Sequence, residues 1–250
     1  TLLGQNVNSY GTTLHNGSNF SSLLKEIGDT TRIERIRFTT SHPKDLSDDL
    51  ITCFTEVDPL CEHIHLPVQS GSDNILKRMN RHYTSEDYLK KVQKLRGVCP
   101  NISITSDIIV GFPGESDNDF QKTIDLMEKV RFDNTFSFKY SVRSGTVAER
   151  YGDKISEDVK SKRLAVVQSL QEKHTLIKNR ILEGSVEDIL VEGYSKNKRI
   201  DVKGRTGTNK IVNFEASGDI IGRRVLVKIT KAYMHSLRGQ LISEERNCQC

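Results

Sequence analysis

The chain has 250 residues, 35% hydrophobic and 28% charged, with a net charge of +4 and a mean hydropathy of −0.50. This is the composition of an ordinary globular protein with room for one large domain or two smaller ones, and it excludes a low-complexity or disulfide-scaffolded chain. No apolar run approaches the roughly 20 residues that span a bilayer, and the start Thr1-Leu2-Leu3-Gly4-Gln5 has neither a basic nor a hydrophobic leader segment, so a cytoplasmic location without membrane contact is expected. With no initiating Met, the chain reads as a fragment entered in mid-strand.

In chain order, strand-like and helix-like segments alternate through the first part. Strands are predicted at 1–3, 33–39, 63–66, 103–110 and 134–140, and amphipathic helices at 20–27, 47–57, 85–96 and 116–130. Thr84 and Ser116, each followed by acidic residues, supply oxygens where the first N–H groups of a helix lack partners. Such alternation builds a parallel sheet covered by helices, so the fold class is α/β: a partial (βα) barrel whose site lies where strands end and loops begin. A long helix predicted over 156–182, stopped by Gly184, completes a first domain at 1–184.

Beyond Gly184 the apolar period becomes two. Short β runs at 186–191, 200–203, 210–214, 224–232 and 237–242, separated by glycines, predict a small closed all-β barrel of oligonucleotide-binding type over 185–245, with 246–250 as a tail. The entire surplus of positive charge falls in this part, which points to an anionic partner. Arg205, Lys210, Arg223, Arg224, Lys231 and Arg238 offer phosphate contacts, and Tyr233 offers a ring on which a base could stack; the alternative is a solvated basic face.

Four strand ends in the first domain are unusually polar. Gly4-Gln5-Asn6-Val7-Asn8-Ser9-Tyr10-Gly11 follows the first strand, with amides that could grip the amino and carboxylate groups of an amino acid or simply cap a turn. Thr39-Thr40-Ser41-His42-Pro43 follows the second. His63-Ile64-His65-Leu66-Pro67-Val68-Gln69-Ser70-Gly71-Ser72 contains the third, where Gly71 lets backbone approach a ligand while Gln69 and Ser70 offer hydrogen bonds. Ser106-Asp107-Ile108-Ile109-Val110-Gly111-Phe112-Pro113-Gly114-Glu115 is the fourth, with apolar walls and backbone edges that suit an adenine ring. His63 and His65 share a strand face, the spacing of some metal-dependent hydrolases, but later histidines fit the rest of such a site poorly. Cys53, Cys61 and Cys99 read as small buried or half-buried thiols of a reducing compartment, and Cys248 and Cys250 lie in the tail.

Taken together with Met79-Asn80-Arg81-His82-Tyr83-Thr84, Phe138-Lys139-Tyr140-Ser141, Arg143, Gly145-Thr146 and Ser236-Leu237-Arg238-Gly239, these motifs resemble the radical S-adenosylmethionine (SAM) methylthiotransferase family in order and spacing, with a TRAM domain as the second barrel. The Gly-Gln-Asn-Val-Asn form is similar to the branch that places a methylthio group on C2 of N6-isopentenyladenosine 37 of tRNA. Sister branches act on threonylcarbamoyladenosine or on a ribosomal-protein aspartate. Val142 and Ser144 depart from the prolines usual in the family.

The resemblance implies SAM and two 4Fe-4S clusters as cofactors of the full-length protein. One cluster, held by a Cys-x-x-x-Cys-x-x-Cys loop, would reduce SAM to a 5'-deoxyadenosyl radical. No such loop is present, so this chain by itself is expected to position SAM and RNA without catalysis. Carried onto matching positions, Gln5 and Asn6 would face the methionine part of SAM, Gln69 and Ser70 its ribose or carboxylate, and Ser41 is a further cofactor-binding residue. Arg81 would pair with the carboxylate, and Asp107, Ile109 and Gly111 would border adenine. The implied partners are tRNA and an electron donor for the cluster, with the protein monomeric. Readings of other classes are a metal-dependent barrel hydrolase and a non-catalytic RNA-binding module.

Overall fold

The computed structural model describes residues 1–14, 17–39, 41–152, 154–195, 201–216 and 219–244. Thr40 of the second strand end, the first residue of the strand expected at 200–203, and Cys248 and Cys250 lie outside them. The chain divides into two units, 1–171 and 172–250. That division falls inside the long helix, whereas 1–184 and 185–245 were expected from the sequence.

In the first unit the elements are α1 (Phe20–Thr30), α2 (Asp48–Glu56), β1 (His63–His65), α3 (Asp73–Arg78), α4 (Ser85–Val98), β2 (Ser103–Val110), α5 (Asp117–Val130), β3 (Asn134–Lys139) and the first turns of α6 (Glu157–Arg180). Strands β1, β2 and β3 form a parallel sheet in that order. The strands expected at 1–3 and 33–39 shrink to single parallel bridges, Leu2 to Phe38 and Ile36 to Leu60. Each is held by only two main-chain hydrogen bonds, too short a ladder to make a strand. They nevertheless continue the parallel order, and the whole is a partial (βα) barrel.

Helix starts follow the capping logic of the sequence. Thr84 caps α4 and Ser116 caps α5, each in a reciprocal box with the aspartate three residues on, Asp87 and Asp119. Along β2, Ile104, Ser106, Ile108 and Val110 are buried while Thr105, Asp107 and Ile109 are half-buried. The strand therefore packs one face under the helices and turns the other to the barrel interior. Cys53, Cys61 and Cys99 are buried free thiols, as expected. Burial pushes the Cys53 thiol up, and that of Cys99 to about 11.

The second unit holds the last turns of α6 and β4 (Val186–Tyr194), β5 (Asp201–Arg205), β6 (Ile211–Glu215), β7 (Arg224–Ala232) and β8 (Leu237–Glu244). These strands close into a barrel in the order β4-β5-β6-β8-β7 around Ile189, Val191, Val202, Phe214, Val225, Val227 and Ile229. The five expected strands are all present. Gly204 and Gly239 permit the close packing, because a Cβ would stand 2.4 Å from Leu190 O and 2.2 Å from Val227 Cγ1, respectively. No helix among the described residues is long and apolar enough to cross a membrane.

Candidate functional site

At the carboxyl ends of the parallel strands lies a cavity of about 760 Å3, within the roughly 300–1,000 Å3 range of small-molecule sites. Gln69 after β1, Asp107 and Ile109 from β2, and Phe138 and Tyr140 at the end of β3 line it, with Arg78 at the end of α3 and Arg81 from the turn that follows. Parity explains the β2 contribution, since Asp107 and Ile109 sit on the interior face.

Gln69 owes its position to the main chain. Its N–H donates to Asp107 O at 2.9 Å and its carbonyl accepts from Ile109 N at 2.9 Å, extending the sheet by one bridge. Its φ of 72° is in the left-handed region, a cost of order 1–3 kcal/mol that the surrounding hydrogen bonds impose. Tyr83 Oη donates to Val68 O at 3.1 Å and Tyr88 Oη to Leu66 O at 2.9 Å, so the segment leading into Gln69 is pinned from α4 and the turn before it. Burial pushes the Tyr83 phenol up to about 12, and that of Tyr88 upward as well, so both remain donors.

Arg81 is placed by the end of α3. Asn80 takes a φ of 58°, its N–H donates to Lys77 O at 3.0 Å, and Arg81 N–H donates to Leu76 O at 2.9 Å, the paired bonds of a Schellman stop. The Met79-Asn80-Arg81 motif is thus a helix terminator that delivers a guanidinium to the cavity.

Other sequence-derived candidates lie elsewhere. Ser70 is fully buried, with its hydroxyl 3.3 Å from Thr123 Oγ1 and accepting from Ser72 N at 3.2 Å. Gly71 does not bring backbone towards the cavity as expected. It packs on α5, where a Cβ would stand 2.3 Å from Lys122 O. Gly111, with φ 71°, lies under the stem of Lys160, and its N–H is held by Glu115 Oε1 at 3.0 Å. Gln5 is exposed, and Asn6 donates to Asp45 Oδ2 at 2.6 Å. Among the described residues, Asn6 Oδ1, both amide atoms of Asn8 and Ser41 Oγ are buried without a hydrogen-bond partner. Orphaned donors and acceptors on the first two polar strand ends are what a polar ligand would satisfy.

His63 and His65 both meet Thr105, at 3.4 and 3.0 Å, and His65 Nε2 is 3.5 Å from Asp107 Oδ1. No group of three or more His, Cys, Asp or Glu among the described residues could hold a metal ion. Residues that fit an iron-sulfur cluster are therefore not found among the described residues, whereas the guanidiniums, amide and apolar groups around the cavity suit a small molecule with an anionic group and a planar apolar part.

Sequence reasoning missed Arg78, Arg143, Thr146 and Val147 as cavity residues. Arg143 and Thr146 already stood among the motifs that carry the family resemblance, which was the available signal for them.

In the second unit, three of the seven candidate RNA contacts are engaged by carboxylates of the same barrel. Arg205 pairs with Glu192 at 3.2 Å, Arg224 with Asp188 and Arg238 with Asp201. Lys210 Nζ donates to Asn179 Oδ1 at 2.9 Å, Arg223 is exposed, and Lys231 lies over the ring of Tyr233.

A partial parallel barrel with a polar cavity at its strand ends, followed by a closed five-stranded barrel, has counterparts among known families. Residues 4–127 match the family described as Radical SAM superfamily, and residues 180–242 match the TRAM domain. The chain thus carries a radical SAM domain and a TRAM domain.

More particularly, it is similar to proteins named tRNA-2-methylthio-N(6)-dimethylallyladenosine synthase. Identity is 61% to that of Syntrophus aciditrophicus (strain SB), over 98% of this chain and 53% of the relative. It is 53% to that of Syntrophobacter fumaroxidans (strain DSM 10017 / MPOB), over 97% and 53%, and 50% to that of Clostridium botulinum (strain Hall / ATCC 3502 / NCTC 13319 / Type A), over 97% and 54%. The chain spans about half the length of these curated relatives.

Proposed function

We propose that this chain is the cofactor-positioning and RNA-binding part of a cytoplasmic, monomeric tRNA methylthiotransferase that adds a methylthio group to C2 of N6-dimethylallyladenosine 37. The observation that carries the reading is the cavity where Gln69, Arg81, Asp107 and Ile109 converge, in a chain 61% identical to a synthase of that name.

In this reading Arg81 and Arg78 face the carboxylate of SAM, Gln69 offers donor and acceptor to its ribose, and Ile109 packs against adenine. When bound, SAM supplies the reactive carbon chemistry and the methyl group. The barrel residues fix its pose and keep water from the reacting centre. The second barrel holds tRNA through its basic side chains. The two 4Fe-4S clusters and the electron donor belong to the same proposal, and no step is assigned to this chain's residues through them.

The test is anaerobic reconstitution of the full-length protein that contains this chain, followed by mass spectrometry of digested tRNA. The methylthio product of dimethylallyladenosine is expected. If the methylthio group appears only on threonylcarbamoyladenosine or on a ribosomal-protein aspartate, a sister activity replaces this one. A metal-dependent hydrolysis with no SAM turnover would overturn the assignment altogether.

A further inference from the structure

On the second barrel, β5, β6 and β8 lie side by side under a concavity of about 360 Å3 whose lining includes Asp201, Asn213, Tyr233, Ser236 and Arg238. Two buried polar side chains build it. Asp201, 5% exposed, receives both Nη groups of Arg238, one of them at 3.1 Å. The guanidinium thus reaches from β8 across β6 to β5 and is held in a bidentate pair. Asn179, 4% exposed, donates from Nδ2 to the carbonyls of Tyr233 and Met234 at 2.9 and 3.3 Å. Tyr233 N–H closes the turn between β7 and β8 on Ser236 O at 2.8 Å.

The turn is pinned, yet the ring it presents is 48% exposed, with Lys231 Nζ 5.4 Å from its centroid. A fixed, half-exposed aromatic ring loses little conformational freedom on binding and stacks readily on another planar π-system. The Asp201 carboxylate in the lining argues against a phosphate inside the pocket, because it already neutralises Arg238 there. A neutral, planar, hydrogen-bonding group is what the lining accepts.

We propose that this pocket is a single-nucleobase subsite. One unstacked base of the bound RNA lies on Tyr233 with its polar edge towards Asn213 and Ser236, and the flanking phosphate sits by Lys231. Asn179 and Asp201 are positioning residues that hold the turn and the guanidinium. The inference rests on the reading of this barrel as RNA-binding and adds where a base goes and what receives it.

The test is fluorescence anisotropy of a labelled RNA hairpin with an unpaired loop, titrated with the 250-residue chain over a series of salt concentrations. Tyr233→Ala is expected to weaken binding about tenfold, within the range of one lost base stack. It should leave the slope of log Kd against log salt unchanged, because no phosphate contact is lost. Tyr233→Phe keeps wild-type affinity. Lys231→Gln lowers the slope by ~0.7. An abasic residue at one loop position abolishes the difference between wild type and Tyr233→Ala.

Wild-type affinity in Tyr233→Ala, or a slope reduced as much as in Lys231→Gln, overturns the base subsite while leaving RNA binding intact. A wild-type chain that binds no RNA overturns the RNA-binding reading itself.

Discussion

Arg163, in the second turn of α6, donates to both the main-chain carbonyl of Glu115 at 3.0 Å and its carboxylate at 2.6 Å. Their side chains are 8% and 1% exposed, and the same carboxylate holds the N–H of Gly111 at 3.0 Å. One ion pair thus fixes the turn between β2 and α5 that follows Asp107 and Ile109. Removing one partner of a buried pair leaves the other charge desolvated, at a cost of about 3–5 kcal/mol. Arg163→Met should lose that much in urea unfolding, and Arg163→Met with Glu115→Gln should recover a large part. Equal losses in the single and double variants would mean that the pair is not what holds the turn.

Two carboxylates of this region should titrate with opposite effects on stability. Burial pushes Glu115 above its ordinary value of 4.5, against the Gly111 N–H and Arg163 that favour its charge. Its stabilising contribution is complete below that value and is lost as pH rises through the folded one. Burial also works against charge at Asp119, but hydrogen bonds from Ser116 and Ser72, at 2.6 and 2.5 Å, hold it below its ordinary 3.8. Its contribution is complete above 3.8 and is lost as pH falls through the folded value. Glu115→Gln should therefore flatten the decline above pH ~4.5, and Asp119→Asn the decline on the acid side. Chemical unfolding at a series of pH values distinguishes them, and unchanged profiles would remove both assignments.

Gln69→Gly should separate stability from binding. Glycine adopts the φ of 72° without penalty, so relief of strain offsets its greater freedom in the unfolded chain and stability should stay within about 1 kcal/mol. Loss of the side-chain amide should weaken binding of S-adenosylhomocysteine about fivefold, the effect of roughly one hydrogen bond. Calorimetric titration and urea unfolding measure the two. Unaltered binding with a large fall in stability would make Gln69 a structural residue only.

Cys53, Cys61 and Cys99 should resist alkylation in the folded protein at neutral pH, since all three are buried and burial disfavours the reactive thiolate at Cys53 and Cys99. Peptide mass spectrometry after a brief exposure to iodoacetamide should find modification at these sites only when denaturant is present. Labelling within minutes under native conditions would show that the core around them opens.

The sequence by itself determined the alternation of strands and helices, the caps at Thr84 and Ser116, the change of period after Gly184 and the order of the polar strand ends. All of these depend on residues close together in the chain: a cap needs an oxygen three residues before its N–H, and a strand face needs every second residue. Asp107 and Ile109 came instead from the family resemblance, and the alternation along β2 in the structure explains why both line the cavity.

Only the tertiary structure decided which motif residues meet. Ser70 and Gly71 follow Gln69 directly, yet they turn into α5, because Thr123 and the Lys122 carbonyl pack there from some fifty residues away. The basic surplus of the second barrel looked like free phosphate contacts, but Arg238 meets Asp201 across an intervening strand and Arg224 meets Asp188 on a neighbouring one. Where a side chain points, and which charge faces it, is set by the pairing and register of distant segments, and local periodicity carries no information about either.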